Sequence, residues 1–380
     1  MWAFCRTCWF GGHQSDERDP PLRLTLPKIA SLAATAIVAS SSVATATDDH
    51  YRRAPFTYAV LGDTPYGQPQ IDNFANDVAE INATDPRMVI HLGDIKNGST
   101  RCDTTYFEQI RSNFDEFTSP LVYTPGDNEW TDCHRTNNGG YTPTERLTAL
   151  RDIFFDLPGR TLGDRSATLD VQRAPYVENV RWSDRGVVFA TINVSGSNND
   201  WVPWFGVTTR TQTQVDEYAK RNAASLKWLD HAFAVAKARK APAIVIAIQA
   251  DMFDAAFTGT ADDPTQYDHF RDFVQALAKQ SLAFGRPVLL LNGDSHVYTD
   301  DRPLADSARP YLRTIYGVTT PVPNLRRITT NGSTTLCHEW LKLNVNPSSS
   351  SVFSTTRVLF TKQPGFTATQ CPAPAYSPRV

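Results

Sequence analysis

The chain has no surplus of positive charge: 37 Lys and Arg stand against 40 Asp and Glu, a formal net charge of -3. That balance argues against a dedicated nucleic-acid coat or an anionic-membrane binder, though not against a nucleotide substrate. Internal repeats of the solenoid type are absent. The apolar run Ile29 to Ala39 is too short and too rich in Ala and Ser for a stable membrane span. Cysteine is scarce, with 6 in the chain, and beyond residue 46 only Cys102, Cys133, Cys337 and Cys371 remain. Those four contain neither a Cys-x-x-Cys nor a nearby His pair, which counts against a thiolate zinc site.

What is present reads as an ordinary globular protein, 41% hydrophobic and 20% charged, with enough apolar residues for a sizeable core. Residues 1–46 have the texture of a signal peptide or export segment. Arg18, Arg23 and Lys28 precede the apolar run, and Ala44-Thr45-Ala46 offers a small-x-small cleavage pattern. An uncleaved anchor or a disordered arm is the alternative. Export implies a secreted, periplasmic or extracellular location, where an even number of cysteines reads as disulfides. Cys102 with Cys133 is the favoured pair, because each lies just downstream of a Gly-Asp motif. Cys337 with Cys371 would then pin the Pro-rich tail at 361–380.

The chain is organised around four apolar runs, each closed by Gly-Asp: Ala59 to Asp63, Met88 to Asp94, Leu121 to Asp127 and Val288 to Asp294. Apolar runs of this length read as buried strands, and open α/β sheets carry ligands at the carboxyl ends of such strands. Glycine permits a sharp turn off the strand, and aspartate supplies a hard anionic oxygen there. One such pair is an ordinary turn. Four carboxylates gathered at one sheet edge repel each other unless a cation lies among them.

Between these runs, Gln70 to Ala83, Thr104 to Phe117, Thr144 to Phe155, Gln214 to Ala238 and Tyr267 to Ala283 carry helical spacing. Arg181 to Val194 reads as two strands around a turn, and Ala243 to Ile248 as a buried strand. Strand alternating with helix predicts parallel neighbours with right-handed crossovers. Ile328 to Thr330, Trp340 to Val345 and Thr356 to Phe360 alternate as antiparallel strands, expected to complete a second sheet. The loops Thr131 to Pro143 and Ser195 to Thr213 should border the site; Trp201 and Trp204 in the second can form a substrate platform, although burial under a neighbouring loop is the commoner fate of such aromatics.

In order and strand context these blocks resemble the calcineurin-like metallophosphoesterase family, which includes the purple acid phosphatases. The counterparts of its motifs are Asp63-Thr64-Pro65, Gly93-Asp94-Ile95-Lys96-Asn97, Gly126-Asp127-Asn128-Glu129, Gln249 or Asp251, and Gly293-Asp294-Ser295-His296. The resemblance, spanning about 56–360, implies a four-layer α-β-β-α sandwich of two mixed sheets flanked by helices. It implies two divalent ions, with Mn, Mg, Ca, Fe and Zn left open. Asp94 would bridge them, Asp63 and His296 would serve one ion, and Asp127 or Asn128 with Asp294 the other. Such a pair makes hydroxide available near neutral pH for in-line attack at phosphorus, so a small phosphate ester is the expected substrate.

The departures from the family are in its histidines. Pro65, Asn128, Gln249 and Asp294 stand where imidazoles are usual, and only His296 remains. An oxygen-rich set favours harder ions, or a single ion. It also removes the usual proton donor. His134 is the candidate replacement, with Asn128 and Asn97 as orienting amides, whereas His91 reads as a buried strand histidine and Lys96 as a solvated charge. Two other functions stay open: a degenerate, non-catalytic binding module, and a nuclease-like phosphodiesterase stacking bases on Trp201, Trp204 and Tyr66.

Overall fold

A computed structural model describes residues 53–254, 266–305, 307, 309–332 and 337–364. The export segment, Cys371 and nearly all of the Pro-rich tail lie outside them. Among the described residues no helix is long and apolar enough to cross a membrane.

The five-stranded sheet begins with β1 (Phe56–Leu61), whose residues are nearly all buried because both faces are covered. Helix α1 (Gly67–Asn82) returns the chain to β2 (Val89–His91), parallel to β1. Helix α2 (Thr104–Asp115) leads to β3 (Leu121–Tyr123), parallel to β2. Helix α3 (Pro143–Phe154) and the short strand β4 (Asp170–Val171) follow. β4 is the edge strand of the second sheet and pairs antiparallel with β5 (Val180–Asp184), which forms a hairpin with β6 (Val187–Thr191), turning at Arg185-Gly186.

Helix α4 (Gln212–Ala238) crosses to β7 (Ile244–Ala247), and α5 (Arg271–Phe284) to β8 (Val288–Asn292); β6, β7 and β8 are parallel. The chain finishes with β9 (Thr299–Asp301), α6 (Tyr311–Ile315), β10 (Leu325–Thr329), β11 (Glu339–Val345) and β12 (Phe353–Leu359). The strand orders are β12-β11-β1-β2-β3 and β4-β5-β6-β7-β8-β10-β9.

One expectation is corrected here. The last three strands do not form one antiparallel set: β10 runs parallel to β8 in the seven-stranded sheet, whereas β11 and β12 join the first sheet beside β1. β10 carries Arg326 beside Ile328 on the side that faces the other sheet, where Arg326 donates to Phe353 O of β12, and Arg327 on the outer side paired with Asp301; this mixed pattern does not reveal the direction of pairing.

The apolar side chains sort into three layers. Val60, Ile90, Phe189, Val245, Leu289 and Leu341 interdigitate between the two sheets. Phe74, Val78, Ile110 and Phe114 of α1 and α2 cover the outer face of the first sheet. Trp228, Leu229, Phe233, Phe273 and Leu277 of α4 and α5 cover that of the second. The result is the α-β-β-α sandwich expected. The expected disulfide is also present: Cys102 and Cys133 are joined across 31 residues, tying the loop after β2 to the loop after β3.

Candidate metal centre

β1, β2, β3 and β8 end at the same edge of the sandwich, and there Asp63, Asp94, Asp127 and Asp294 converge. Ligand atoms of Asp63, Asp94 and His296 lie within 4.8 Å of one another, and so do those of Asp94, Asp127 and Asp294. Asp94 belongs to both groups. Asp63, Asp94 and Asp127 are buried, while Asp294 and His296 are partly exposed at the mouth.

The local backbone explains the convergence. Asp63, Asp94, Asp294 and His296 have φ of 55°, 54°, 78° and 59°. Left-handed backbone is uncommon in non-glycine residues, is better tolerated by Asp than by most, and collects at functional sites. The preceding glycines allow close approach. A Cβ at Gly126 would lie 2.1 Å from Asp94 Oδ1, and one at Gly293 would lie 2.3 Å from Asp63 Oδ2.

Hydrogen bonds fix each carboxylate. Asp94 Oδ2 accepts from Asn128 Nδ2 at 2.8 Å and from the Tyr66 hydroxyl at 3.2 Å, and its Oδ1 accepts from Asn128 N–H at 3.2 Å. Asp63 Oδ1 accepts the Asp294 N–H at 2.9 Å and lies 3.3 Å from His296 Nε2. Its Oδ2 is buried with no hydrogen-bond partner among the described residues. Asp127 Oδ1 accepts from Gln249 Nε2 at 3.0 Å, and Asp294 Oδ2 accepts the Asp251 N–H at 3.0 Å.

Electrostatics follow from this crowding. Burial first, then the charges of Asp127, Glu129, Asp63 and Asp294, push the Asp94 carboxyl well above its usual range. Burial and Asp127 do the same to Asp294. Against the opposing effect of burial, Asp63 raises the His296 imidazole. A buried, mutually repelling set of carboxylates with an orphaned oxygen, cradled by glycines, fits hard divalent cations.

Around this core the remaining candidates separate. Asn128 reaches both Asp94 and Tyr66. Asn97 turns into its own loop, its Oδ1 accepting from the N–H and hydroxyl groups of Ser99 and Thr100. His134 is half-buried; its Nδ1 accepts the Phe205 N–H at 2.6 Å, and burial with nearby Arg135 lowers its imidazole to about 4. Glu129 binds protein, not the cluster mouth: its Oε1 accepts from Asp94 N–H, Gly126 N–H and the Tyr123 hydroxyl.

Two side chains, Lys96 and Tyr66, depart from their sequence readings, and Trp204 takes the buried fate weighed above a substrate platform. Lys96 is fully buried instead of solvated, and burial lowers its ammonium to about 8 despite Glu129, Asp94, Asp132 and Asp127 nearby. Tyr66 is buried with its hydroxyl among Asp94, Asn128 and His296, so it is not a stacking surface. Trp204 is buried and donates to Asp200, while Trp201 stacks on His269 at 3.9 Å between centroids. His91 is the buried strand histidine expected, its Nε2 at 3.0 Å from Thr64 O.

Sequence reasoning missed Ser197, whose hydroxyl lies 2.8 Å from Asp127 Oδ2, and the bond from Tyr66 to Asp94, reading Tyr66 only as a stacking surface. For Tyr66 the signal was its place three residues after Asp63; Ser197 carries no motif.

The chain matches no family model and no curated protein. Among solved structures it is similar to a dimetal phosphatase from Danio rerio, 11% identical over 80% of this chain and 99% of that one, with a TM-score of 0.44. It is also similar to GAP50, the anchor in the inner membrane complex of Plasmodium, 11% identical over 81% and 90%, with a TM-score of 0.42. A third is the purple acid phosphatase PPD1 of yellow lupin seeds, 11% identical over 80% and 54%, with a TM-score of 0.39. These are similarities of fold; the chemistry below rests on this chain's own residues.

Proposed function

We propose that the chain is a metal-dependent phosphoric-ester hydrolase, exported through its N-terminal segment and acting on a small phosphomonoester or phosphodiester. The observation that carries this reading is the pair of acidic clusters sharing Asp94. Asp63, Asp94 and His296 would hold one divalent ion, and Asp94, Asp127 and Asp294 the other. Bound there, such ions supply Lewis acidity toward a phosphoryl oxygen and a water of lowered pKa.

The chain's own groups do the rest. Asn128 and Tyr66 hold Asp94 in one rotamer through its Oδ2, and Gln249 does so for Asp127. The exposed rims of Asp294 and His296 mark the side from which substrate enters. Lys96, buried behind the carboxylates, offsets part of their charge. His134 is the candidate donor of a proton to the leaving oxygen. With its imidazole at about 4, that role is confined to acidic conditions.

The rival reading is a binding module that keeps the ions without turnover. It is favoured by Gln249 and Asn128, whose amides stand at imidazole positions and are spent on Asp127 and Asp94. The two are separated by assaying a nitrophenyl phosphomonoester and its diester. The protein is first metal-stripped, then resupplied in turn with Mn, Mg, Ca, Fe or Zn. Turnover restored by metal and lost in Asp94→Asn supports the hydrolase; metal uptake with both esters intact supports the binding module.

A further inference from the structure

After β6 the chain passes through Gly196–Asp200, where Ser197, Asn198, Asn199 and Asp200 have φ of 52°, 53°, 61° and 62°. Four successive non-glycine residues thus form a left-handed turn, a conformation unfavourable for every L-residue and least so for Asn and Asp. The turn is held from outside. Asn198 Nδ2 donates to Asp268 Oδ1 at 2.8 Å, and Arg221 donates to Asn199 O at 2.9 Å. Trp204 Nε1 donates to Asp200 Oδ1 at 3.0 Å, and Gln214 Nε2 to Asp200 O at 2.8 Å. Strain so heavily pinned persists where the surroundings over-determine it, as they do at functional sites.

What the turn delivers falls on one half of the centre. Ser197 Oγ lies 2.8 Å from Asp127 Oδ2 and 2.9 Å from Asp132 Oδ1. The Gly196 N–H donates to Gln249 Oε1 at 2.6 Å, and Gln249 Nε2 in turn donates to Asp127 Oδ1. Asp127 Oδ1 is therefore held by this turn through one amide, and its Oδ2 shares the single Ser197 O–H with Asp132 Oδ1. A Cβ at Gly196 would stand 2.7 Å from Asp127 Oδ2 and 2.8 Å from Asp294 Oδ1, so its backbone forms the wall of that cluster.

We propose that the turn is a built part of the centre: Ser197 is a positioning residue for Asp127, and with Gly196 it governs ion uptake by the Asp94, Asp127 and Asp294 cluster. The proposal rests on the metal reading above and extends it to residues outside every Gly-Asp block.

The test is Ser197→Gly, which removes the hydroxyl while accepting positive φ without strain. The full chain, metal-stripped, is titrated calorimetrically with Mn(II) and melted without metal. Wild type is expected to show two uptake events. In Ser197→Gly one should weaken by about tenfold or more, the scale of a hydrogen bond to a carboxylate, while the other is unchanged and the metal-free melting temperature does not fall. Gly196→Ala should lose the same event.

Equal weakening of both events, or wild-type uptake in Ser197→Gly, overturns the proposal while leaving the metal reading intact. Absence of Mn(II) uptake by wild type overturns both.

Discussion

Replacing Asp94 by Asn removes the one carboxylate common to both clusters and keeps its shape. One of its oxygens lies within 4.8 Å of an Asp63 oxygen in one cluster, and one lies within 4.8 Å of oxygens of Asp127 and Asp294 in the other. At that separation two unit charges repel by about 3.5 kcal/mol at an effective dielectric constant of ~20. Burial acts in the same direction, which is why the carboxyl is pushed up. Against this, an amide group would oppose the donors Asn128 Nδ2 and Tyr66 at Oδ2, a cost of about 1–3 kcal/mol. Relief of repulsion is the larger effect. Without metal at pH 8, Asp94→Asn is therefore expected to melt no lower than wild type, and up to several degrees higher.

With metal the order reverses. Wild type gains about 2.7 kcal/mol at a free ion concentration of 100 Kd, and the variant, lacking the shared ligand, gains little. Differential scanning calorimetry with and without Mn(II) reads both signs. A variant that is several degrees less stable without metal, or that gains as much from Mn(II) as wild type, would refute the electrostatic account of the cluster.

The Cys102–Cys133 disulfide closes a 31-residue loop, so the Cys102→Ala, Cys133→Ala double variant should lose about 3–4 kcal/mol by chemical denaturation. Burial lowers the His91 imidazole to about 4. Its contribution is complete above pH 6.5 and is lost as pH falls through 4, amounting to about 3 kcal/mol. His91→Gln should accordingly flatten the acid limb of the stability profile measured by urea titration. His134→Ala should slow hydrolysis of an alkyl phosphate at pH 5 by about a hundredfold and leave a nitrophenyl ester, whose leaving group needs no proton, nearly unchanged. Gly126→Ala places a methyl group 2.1 Å from Asp94 Oδ1, and elemental analysis should find its metal content reduced.

The parts of the fold carried by period and punctuation were legible in the sequence. Phe74, Val78 and Ile81 mark α1 at helical spacing, and the four apolar runs closed by Gly-Asp mark the strands whose ends converge. The pairing of Cys102 with Cys133 was legible because both follow those ends. Strand direction at β10 was not, since parallel pairing with β8 depends on which sheet edge stays open after a long connection. The burial of Lys96 was hidden because a lysine one residue past a strand loop reads as solvated unless its acidic neighbours, here Glu129 and Asp132, are known to be close. Ser197 was hidden for a different reason. Four left-handed residues in a row contradict local propensity, and only tertiary contacts such as Arg221 with Asn199 sustain them.

The central claim is that Asp94 joins two cation sites. Anomalous diffraction from crystals of the chain equilibrated with Mn(II) tests it most directly. Two peaks about 3.5–4 Å apart, one beside Asp63 and His296, the other beside Asp127 and Asp294, with Asp94 touching both, are expected. A centre that stays without peaks under saturating Mn(II), or a single peak that leaves Asp94 uncoordinated, would contradict it.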